Sequence, residues 1–471
     1  MKQIVNPFLP SYEYIPDPEP RVFDGRVYIY GSHDRFNGVS FCLNDYVTWS
    51  APIDDLTNWR YEGVIYERKS DPKYRKGPLN AMFASDVIKA LDGKYYMYYT
   101  LGYCGHISIA VSDSPTGKYE FLGHVKYEDG ILLGEKNEGI QFDPAIFIDE
   151  DKRVYLYSGF APRKLSRFLF GNKKPMKEGA MVVELSNDMQ TVISKPKYIA
   201  KTIFNSKDTD YYGHEFFEAA SMRKINGKYY FIYSSINGHE LCYAISDYPD
   251  KGFKYQGILV SNGDIGIKNK PINYIGNNHG SILELNDDFY IFYHRQTNRN
   301  SFSRQACAEK IKFEDGKFIQ AEITSNGLNN TPLKAEGKHM AYIACNLYSK
   351  KGVYFYRVFK KHSKYHPYFT QDGKDRNENP KQYIKNFNKY SIAGFKYFEF
   401  NNETEIEVYV KGRSKGKIIV KNGNNELLAI ISINGMQNKF KADLKALKGI
   451  HELQFSYEGK GNFNFISFEI K

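Results

Sequence analysis

One pattern recurs five times along this chain: a tight turn followed by a strand dense in tyrosine. The copies are Gly25-Arg-Val-Tyr-Ile-Tyr30, Gly93-Lys-Tyr-Tyr-Met-Tyr-Tyr99, Lys152-Arg-Val-Tyr-Leu-Tyr157, Gly227-Lys-Tyr-Tyr-Phe-Ile-Tyr233 and Asp287-Asp-Phe-Tyr-Ile-Phe-Tyr293. The matched tyrosines are Tyr28, Tyr96, Tyr155, Tyr230 and Tyr290, so the steps are 68, 59, 75 and 60 residues. A period that long holds one four-stranded sheet with generous loops. Units that cannot bury their faces alone must stack on their neighbours, and radial stacking of four-stranded sheets is a propeller. Five copies predict five blades. The segments Ile109-Ala-Val-Ser-Asp-Ser-Pro-Thr-Gly117 and Tyr243-Ala-Ile-Ser-Asp-Tyr-Pro-Asp250 are near copies of each other, each reading as a strand that ends in a Ser-Asp-x-Pro turn.

Composition agrees. The 40 Tyr and 33 Phe favour strands, and 471 residues are too many for one core. After Asn329-Asn330-Thr331-Pro332 the period stops. Short strands then recur at sandwich spacing, at 404–411, 417–421, 426–433, 451–457 and 463–470, with 360–380 as a long polar loop. The predicted fold is all-β: a five-bladed β-propeller over 1–330, then a β-sandwich over 331–471.

Charge separates the same two parts. Residues 331–471 hold 25 Lys+Arg against 13 Asp+Glu, leaving 40 against 41 for 1–330. The lysines are scattered and accompany no helix-turn-helix or RNA-binding motif, so a solvated surface is expected and nucleic acid is not expected as a partner. No apolar run is long enough to span a bilayer, and no membrane partner is expected. The N-terminal residues lack an apolar secretion core. The five cysteines, Cys42, Cys104, Cys242, Cys307 and Cys345, form no C-x-x-C pair. A reduced, cytoplasmic protein is the expectation.

Three carboxylates fall at matching points, each near the start of a blade. Asp17 sits in Ile15-Pro16-Asp17-Pro18-Glu19-Pro20, where three prolines fix the backbone. Asp143 interrupts the apolar run Gln141-Phe142-Asp143-Pro144-Ala145-Ile146-Phe147, where burying a charge is costly unless it has a partner or a task. Glu218 lies in His214-Glu215-Phe216-Phe217-Glu218-Ala219-Ala220-Ser221, among aromatics that would desolvate it and raise its pKa. Glycoside hydrolysis needs such a set: a proton donor to the leaving oxygen and a second carboxylate that activates water or attacks the sugar. Glu215 is a rival acid by position.

With Pro16-Asp17-Pro18, Ala84-Ser85-Asp86-Val87, Phe142-Asp143-Pro144-Ala145-Ile146-Phe147, Phe216-Phe217-Glu218-Ala219-Ala220-Ser221, Asn277-Asn278-His279-Gly280-Ser281 and Tyr293-His294-Arg295 in that order, residues 5–325 resemble glycoside hydrolase family 43. The resemblance implies an inverting enzyme with Asp17 as base, Asp143 as pKa modulator and Glu218 as acid. It implies that Arg304, in Ser303-Arg304-Gln305, contacts the sugar beside the acid, and that His279 lies near a central calcium ion or water cluster. Asp86 and Asp34 are further candidates for substrate binding. In much of the family a proline stands where Ser85 is found. The substrates implied are arabinofuranosides or xylosides of plant polysaccharides and oligosaccharides, the alternatives being a galactan-active member or a non-catalytic sugar-binding propeller. The ending Gly459-Lys-Gly-Asn-Phe-Asn-Phe-Ile-Ser-Phe-Glu469 resembles carbohydrate-binding modules of family 6.

Overall fold

The computed structural model describes residues 3–77, 79–353, 364–435 and 437–471. Each sequence repeat builds one blade; in blades 1, 2, 4 and 5 four antiparallel strands follow in chain order, while blade 3 adds at its edge an earlier strand in parallel pairing. Blade 1 comprises Glu19–Phe23, Arg26–Tyr30, Tyr46–Pro52 and Arg60–Tyr66; blade 2 comprises Asp86–Lys89, Tyr95–Tyr99, Ser108–Ser112 and Glu120–His124. Blade 3 is built on Ala145–Ile148, Val154–Ser158 and Met181–Leu185, with the two-residue strands Lys126–Tyr127, Thr191–Val192 and Lys197–Tyr198 completing its edge. Blade 4 comprises Phe216–Ile225, Lys228–Ser235, Glu240–Ser246 and Lys254–Ser261, and blade 5 Ile282–Leu285, Asp288–Gln296, Arg304–Glu314 and Lys317–Ile319.

The repeated turn joins the first strand of each blade to the second. In blades 1, 4 and 5 two successive residues take positive φ: Asp24 and Gly25, Asn226 and Gly227, Asn286 and Asp287. That is the hairpin turn whose twist matches the strands, and Asp, Asn and Gly tolerate it. The repeated tyrosines lie on second strands, in clusters shared between neighbouring blades. One cluster joins blades 1 and 2 and another blades 4 and 5, while a larger one runs from blade 2 through 3 to 4. A buried tyrosine needs a partner for its hydroxyl. Tyr30, Tyr98 and Tyr157 donate to the carbonyls of Pro115, Met189 and Pro249 on the next blade at 2.9, 2.6 and 2.8 Å, and Tyr230 donates to Gly316 at 2.8 Å. Pro115 and Pro249 belong to the two near-copy turns, so both repeated motifs serve one inter-blade lock. The ring closes by packing, with Ile4, Phe8 and Ile15 wedged between the cores of blades 1 and 5.

First strands of neighbouring blades meet around the axis. There Arg21 of blade 1 binds Asp86 of blade 2 through Nε at 2.8 Å and also reaches the Ile146 carbonyl of blade 3. Arg223 of blade 4 binds Glu19, the Pro20 carbonyl and the Ile282 carbonyl of blade 5. Two cations and two carboxylates thus tie all five inner strands together. Asp86 is 2% exposed and also accepts the Ile146 N–H at 2.9 Å. The expectation that it binds substrate is corrected: it is a tie between blades.

The C-terminal body is a two-layered sheet structure, consistent with the predicted sandwich. One layer is built on Asn346–Ser349, Ser391–Asn401, Ser414–Lys421 and Leu427–Ile433, the other on Tyr368–Gln371, Gln382–Asn388, Glu405–Lys411 and Lys439–Asp443. Both pack on one cluster rich in phenylalanine. Two predicted strands prove to be one, Lys448–Ile470, which pairs with Ser391–Asn401 and Ser414–Lys421 before crossing to Gln382–Asn388 and Glu405–Lys411. Gly459 and Gly461 permit the crossing, since a Cβ there would sit 2.4 and 2.6 Å from the carbonyls of Lys415 and Arg413. The predicted loop 360–380 contains the strand Tyr368–Gln371; its residues 360–363 lie outside the described set. No helix among the described residues is long and apolar enough to cross a membrane.

Removing one partner of a buried ion pair strands the other. Arg21→Met is therefore expected to destabilise the protein by about 3–5 kcal/mol in chemical denaturation, with much of the loss recovered in Arg21→Met/Asp86→Leu. Equal midpoints for wild type and Arg21→Met would remove the tie from the account of stability.

Candidate active site

One end of the propeller axis opens into a cavity of about 750 Å³ whose lining includes Asp17, Asp143, Glu218, His279 and Arg304. Ring geometry brings these together across 287 residues of sequence. Asp17, Asp143, Glu218 and His279 lie close to the start of a blade's first strand, and Arg304 opens the third strand of blade 5. The backbone there is strained: Asp17, Asp143 and Ala219 take φ of 58, 46 and 66°. Conformations of this kind cost roughly 1–3 kcal/mol each and persist where the surroundings enforce them. His279 is placed by Gly280, where a Cβ would lie 1.9 Å from the Phe292 carbonyl and hold the strand away from its neighbour.

Asp17 is 5% exposed. Its Oδ1 lies 3.1 Å from Arg304 Nη1 and 3.3 Å from His294 Nδ1. Burial alone would raise its pKa; the Arg304 charge outweighs that and holds the carboxyl well below the usual range. Glu218 is placed oppositely. Desolvation, aided by the negative charge of Asp17, pushes its pKa up to about 8, and the pull of Arg304 offsets only part of this. Asp143 is also raised, by burial and by the charges of Glu218 and Asp17; its Oδ2 accepts the Ala219 N–H at 3.1 Å. At neutral pH the site therefore holds an ionised Asp17 beside a protonated Glu218. Two carboxyls driven apart in pKa are what acid–base chemistry requires.

Aromatic side chains supply the desolvation. Phe83, Tyr103, Phe170, Phe160 and Phe142 form a closed circuit of ring contacts, with centroids 4.8–5.5 Å apart, and Phe217 joins at Phe160. Phe142 and Phe217 adjoin the acidic residues in sequence and were legible there. Phe83, Tyr103, Phe160 and Phe170 come from loops with no distinguishing pattern, as do Arg163 and Asn237, which also line the cavity. His294 likewise went unassigned: its Nδ1 accepts the Asp17 N–H at 3.2 Å while Nε2 donates to the Asn277 carbonyl at 2.6 Å.

One expectation fails here. Asp34 is fully buried and does not reach the cavity; it holds Arg304 through both its oxygens, at 2.9 and 3.0 Å, and accepts the Cys42 N–H. It acts on the site through Arg304 and does not bind substrate. The rival acid Glu215 is buried against the Ser206 hydroxyl, away from the cavity. His279 lines the cavity with Nδ1 3.6 Å from Asp143 Oδ2, and burial lowers its pKa to about 4, so it is neutral. Calcium is bound by six to eight oxygens. Among the described residues the group of three ligating side chains that converges is His214, Glu240 and Cys242, not a set around His279. Among the described residues, His279 is therefore not joined by a cluster of carboxylates that would hold calcium directly.

The family model described as glycosyl hydrolases family 43 matches residues 4–318. The chain belongs to this family. It is a glycosidase. This family 43 chain is 49% identical over 480 residues to a xylosidase/arabinosidase of Thermoclostridium stercorarium, covering 100% of this chain and 99% of that one. It is 31% identical to a xylosidase/arabinosidase of Bacteroides ovatus, covering 67% of this chain and 97% of that one. Among solved structures, a β-xylosidase/α-arabinofuranosidase from a compost microbial metagenome, in complex with xylotriose and in a calcium-free form, aligns with a TM-score of 0.52 at 27% identity, covering 66% of this chain and 94% of that one. An arabinoxylan arabinofuranohydrolase of Bacillus subtilis shares the fold along 99% of this chain and 97% of its own, with a TM-score of 0.52 at 20% identity.

The protonation states set the pH response. A general acid works only while protonated, so activity is present below the Glu218 pKa and lost above it. kcat/KM is expected to fall roughly tenfold per pH unit above about pH 8. The acidic limb, set by Asp17, lies far lower. A profile that stays flat to pH 10 would remove Glu218 as the proton donor.

Proposed function

We propose that this enzyme hydrolyses, with inversion, the glycosidic bonds of pentose units, α-L-arabinofuranose or β-D-xylose, in oligosaccharides and polysaccharides of the hemicellulose type. The observation that carries this reading is the pairing, in one desolvated cavity, of Asp17 held ionised by Arg304 with Glu218 held protonated by burial. The xylosidase/arabinosidase names of relatives that align along the whole chain support the pentose.

The step balances without a cofactor. Glu218 gives its proton to the glycosidic oxygen as the bond from that oxygen to the anomeric carbon breaks. A water oxygen bonds to the opposite face of that carbon while Asp17 takes the water's proton. Glu218 ends ionised and Asp17 protonated, and exchange with solvent restores both. Arg304 holds Asp17 in place and ionised. Asp143 accepts the Ala219 N–H beside Glu218 and so fixes the backbone that carries the acid, while the charge of Asp17 raises the cost of ionising Glu218. A calcium ion beside neutral His279 would take its oxygens mainly from water.

All five cysteines are unpaired and four are buried, which supports action in a reducing compartment, the cytoplasm. For the C-terminal sandwich, the resemblance of its ending to family 6 modules supports contact with glycan. However, its exposed large apolar side chains among the described residues are Tyr365, Leu427, Ile430 and Ile450, with one aromatic ring among them. Bracing of the propeller is the role we favour.

A panel of nitrophenyl pentosides and galactosides reads the sugar, and proton NMR of the first product anomer reads the stereochemistry; net retention would overturn the inverting mechanism. Roles separate by leaving group. Glu218→Gln is expected to lose about 10²–10⁴-fold on natural glycosides and far less on a dinitrophenyl glycoside, whose leaving group needs no proton. Asp17→Asn is expected to lose activity on both. Equal losses on both substrates for Glu218→Gln would void the assignment.

A further inference from the structure

The C-terminal body meets the propeller on the face that carries the cavity. Strand Tyr368–Gln371 and the loop after it lie along two propeller loops: 33–44 of blade 1, which carries Asp34 and Phe41, and 297–303 of blade 5, which leads into Arg304. Asn298 donates its N–H to the Phe369 carbonyl at 2.8 Å, and Thr370 donates its hydroxyl to Asn298 Oδ1 at 3.0 Å. Tyr14 donates to Gln371 at 2.6 Å. Asp375 spends both oxygens on the blade 1 loop, accepting the Phe36 N–H at 2.7 Å and the Asn44 side-chain amide at 3.0 Å. That same amide nitrogen donates to the Asp34 carbonyl at 3.0 Å. Beside it, Arg376 binds the buried Glu13, which also takes His33 Nε2 at 3.0 Å and Trp49 Nε1 at 2.7 Å.

A short, continuous run of polar contacts therefore leads from the sandwich to the reacting groups: Asp375 to Asn44, Asn44 to the Asp34 carbonyl, the Asp34 carboxylate to Arg304, and Arg304 to Asp17, with Asp375 also holding the Phe36 N–H of the same loop. The two loops are themselves joined, Asn37 donating its N–H to the Ser303 hydroxyl at 3.0 Å and accepting from the Asn298 side chain at 3.0 Å. Without the two acceptors of Asp375, Phe36 and Asn44 would turn to water, and the loop that fixes Asp34 would gain freedom.

We propose that Asp375 and Arg376 are positioning residues, through which the C-terminal sandwich holds loop 33–44, and with it the Asp34–Arg304–Asp17 chain, in the geometry that catalysis needs. The inference rests on Asp17 acting as the base. It assigns the sandwich a part in turnover of small substrates, which a module that only captured polymer would not have.

The test uses the full chain and a nitrophenyl pentoside, with thermal unfolding followed in parallel. A misplacement of about 1 Å remote from the chemistry can cost 10²-fold, so Asp375→Ala is expected to lower kcat about tenfold or more with KM changed less than about threefold. Asp375→Asn keeps the acceptor for the Phe36 N–H and is expected to lose about threefold, which keeps the question answerable where the alanine variant does not fold. Tyr397→Phe removes a bond between the same two bodies, to Glu322 and away from the cavity, and is expected to lower stability while kcat stays at the wild-type value. Wild-type kcat in folded Asp375→Ala or Asp375→Asn would overturn the proposal, and so would an equal kcat loss in Tyr397→Phe, which would mean general loosening of the interface. Full activity in Asp17→Asn would instead remove the base assignment, a separate failure that the Asp375 variants do not produce.

Discussion

The structure depends on a buried charge network at the propeller axis. Five sheets that meet only through apolar faces could slide or splay, because dispersion and hydrophobic burial carry little direction. Arg21, Asp86, Glu19 and Arg223 supply direction at the one place where all five blades converge. Their guanidinium groups also collect the Ile146, Ile282 and Pro20 carbonyls, so donors that would be costly to bury alone are satisfied. The inner strands are thereby fixed relative to one another, and the residues near their starts line the cavity.

Above that plug the same physics is turned to chemistry. The site does not rest on one perturbed carboxyl but on the contrast between two. Arg304 touches Asp17 and not Glu218, and the aromatic circuit on the blade 2 and blade 3 side removes water without offering a charge partner. One environment stabilises a charge and the other refuses it, within a single cavity. Arg304 is in turn held by Asp34, whose full burial makes the pair stiff. The positive φ at Asp17, Asp143 and Ala219 shows that the fold tolerates backbone strain at the point where the acids must face inward.

The C-terminal sandwich belongs to this scheme and is not a separate body on a tether. Its contacts with the propeller run from the Lys396 pairing with Asp264 and Glu322, through Arg295 donating to the Tyr342 carbonyl, to the Asp375 and Arg376 contacts beside the cavity. Burying ionic groups along one interface fixes register more than it adds stability. Register matters because the far end of that interface abuts the loop that carries Asp34.

Much of this was legible in the sequence, for a physical reason. A blade's second strand is buried on both faces and starts from a turn with positive φ, so its residue types are constrained wherever it lies in the chain. Five such strands announce five blades. The acids before or at blade starts were legible because prolines and phenylalanines mark them locally, at Asp17, Asp143 and Glu218. What sequence could not decide was direction. Asp86 and Asp34 are carboxylates at strand starts or ends like the others, yet one points at Arg21 and the other at Arg304, because arginines distant in the chain occupy the space beside them. His294 and the ring circuit went unassigned for the same reason: an imidazole or a phenylalanine acquires its role from neighbours contributed by other blades. The strand Lys448–Ile470 reads as two because glycines signal a turn, and only the close approach of Arg413 and Lys415 makes them the bend of one strand. Local chemistry set the elements and the candidate acids; the closure of the ring and the docking of the sandwich, which bring residues hundreds of positions apart into contact, determined which of them face the substrate.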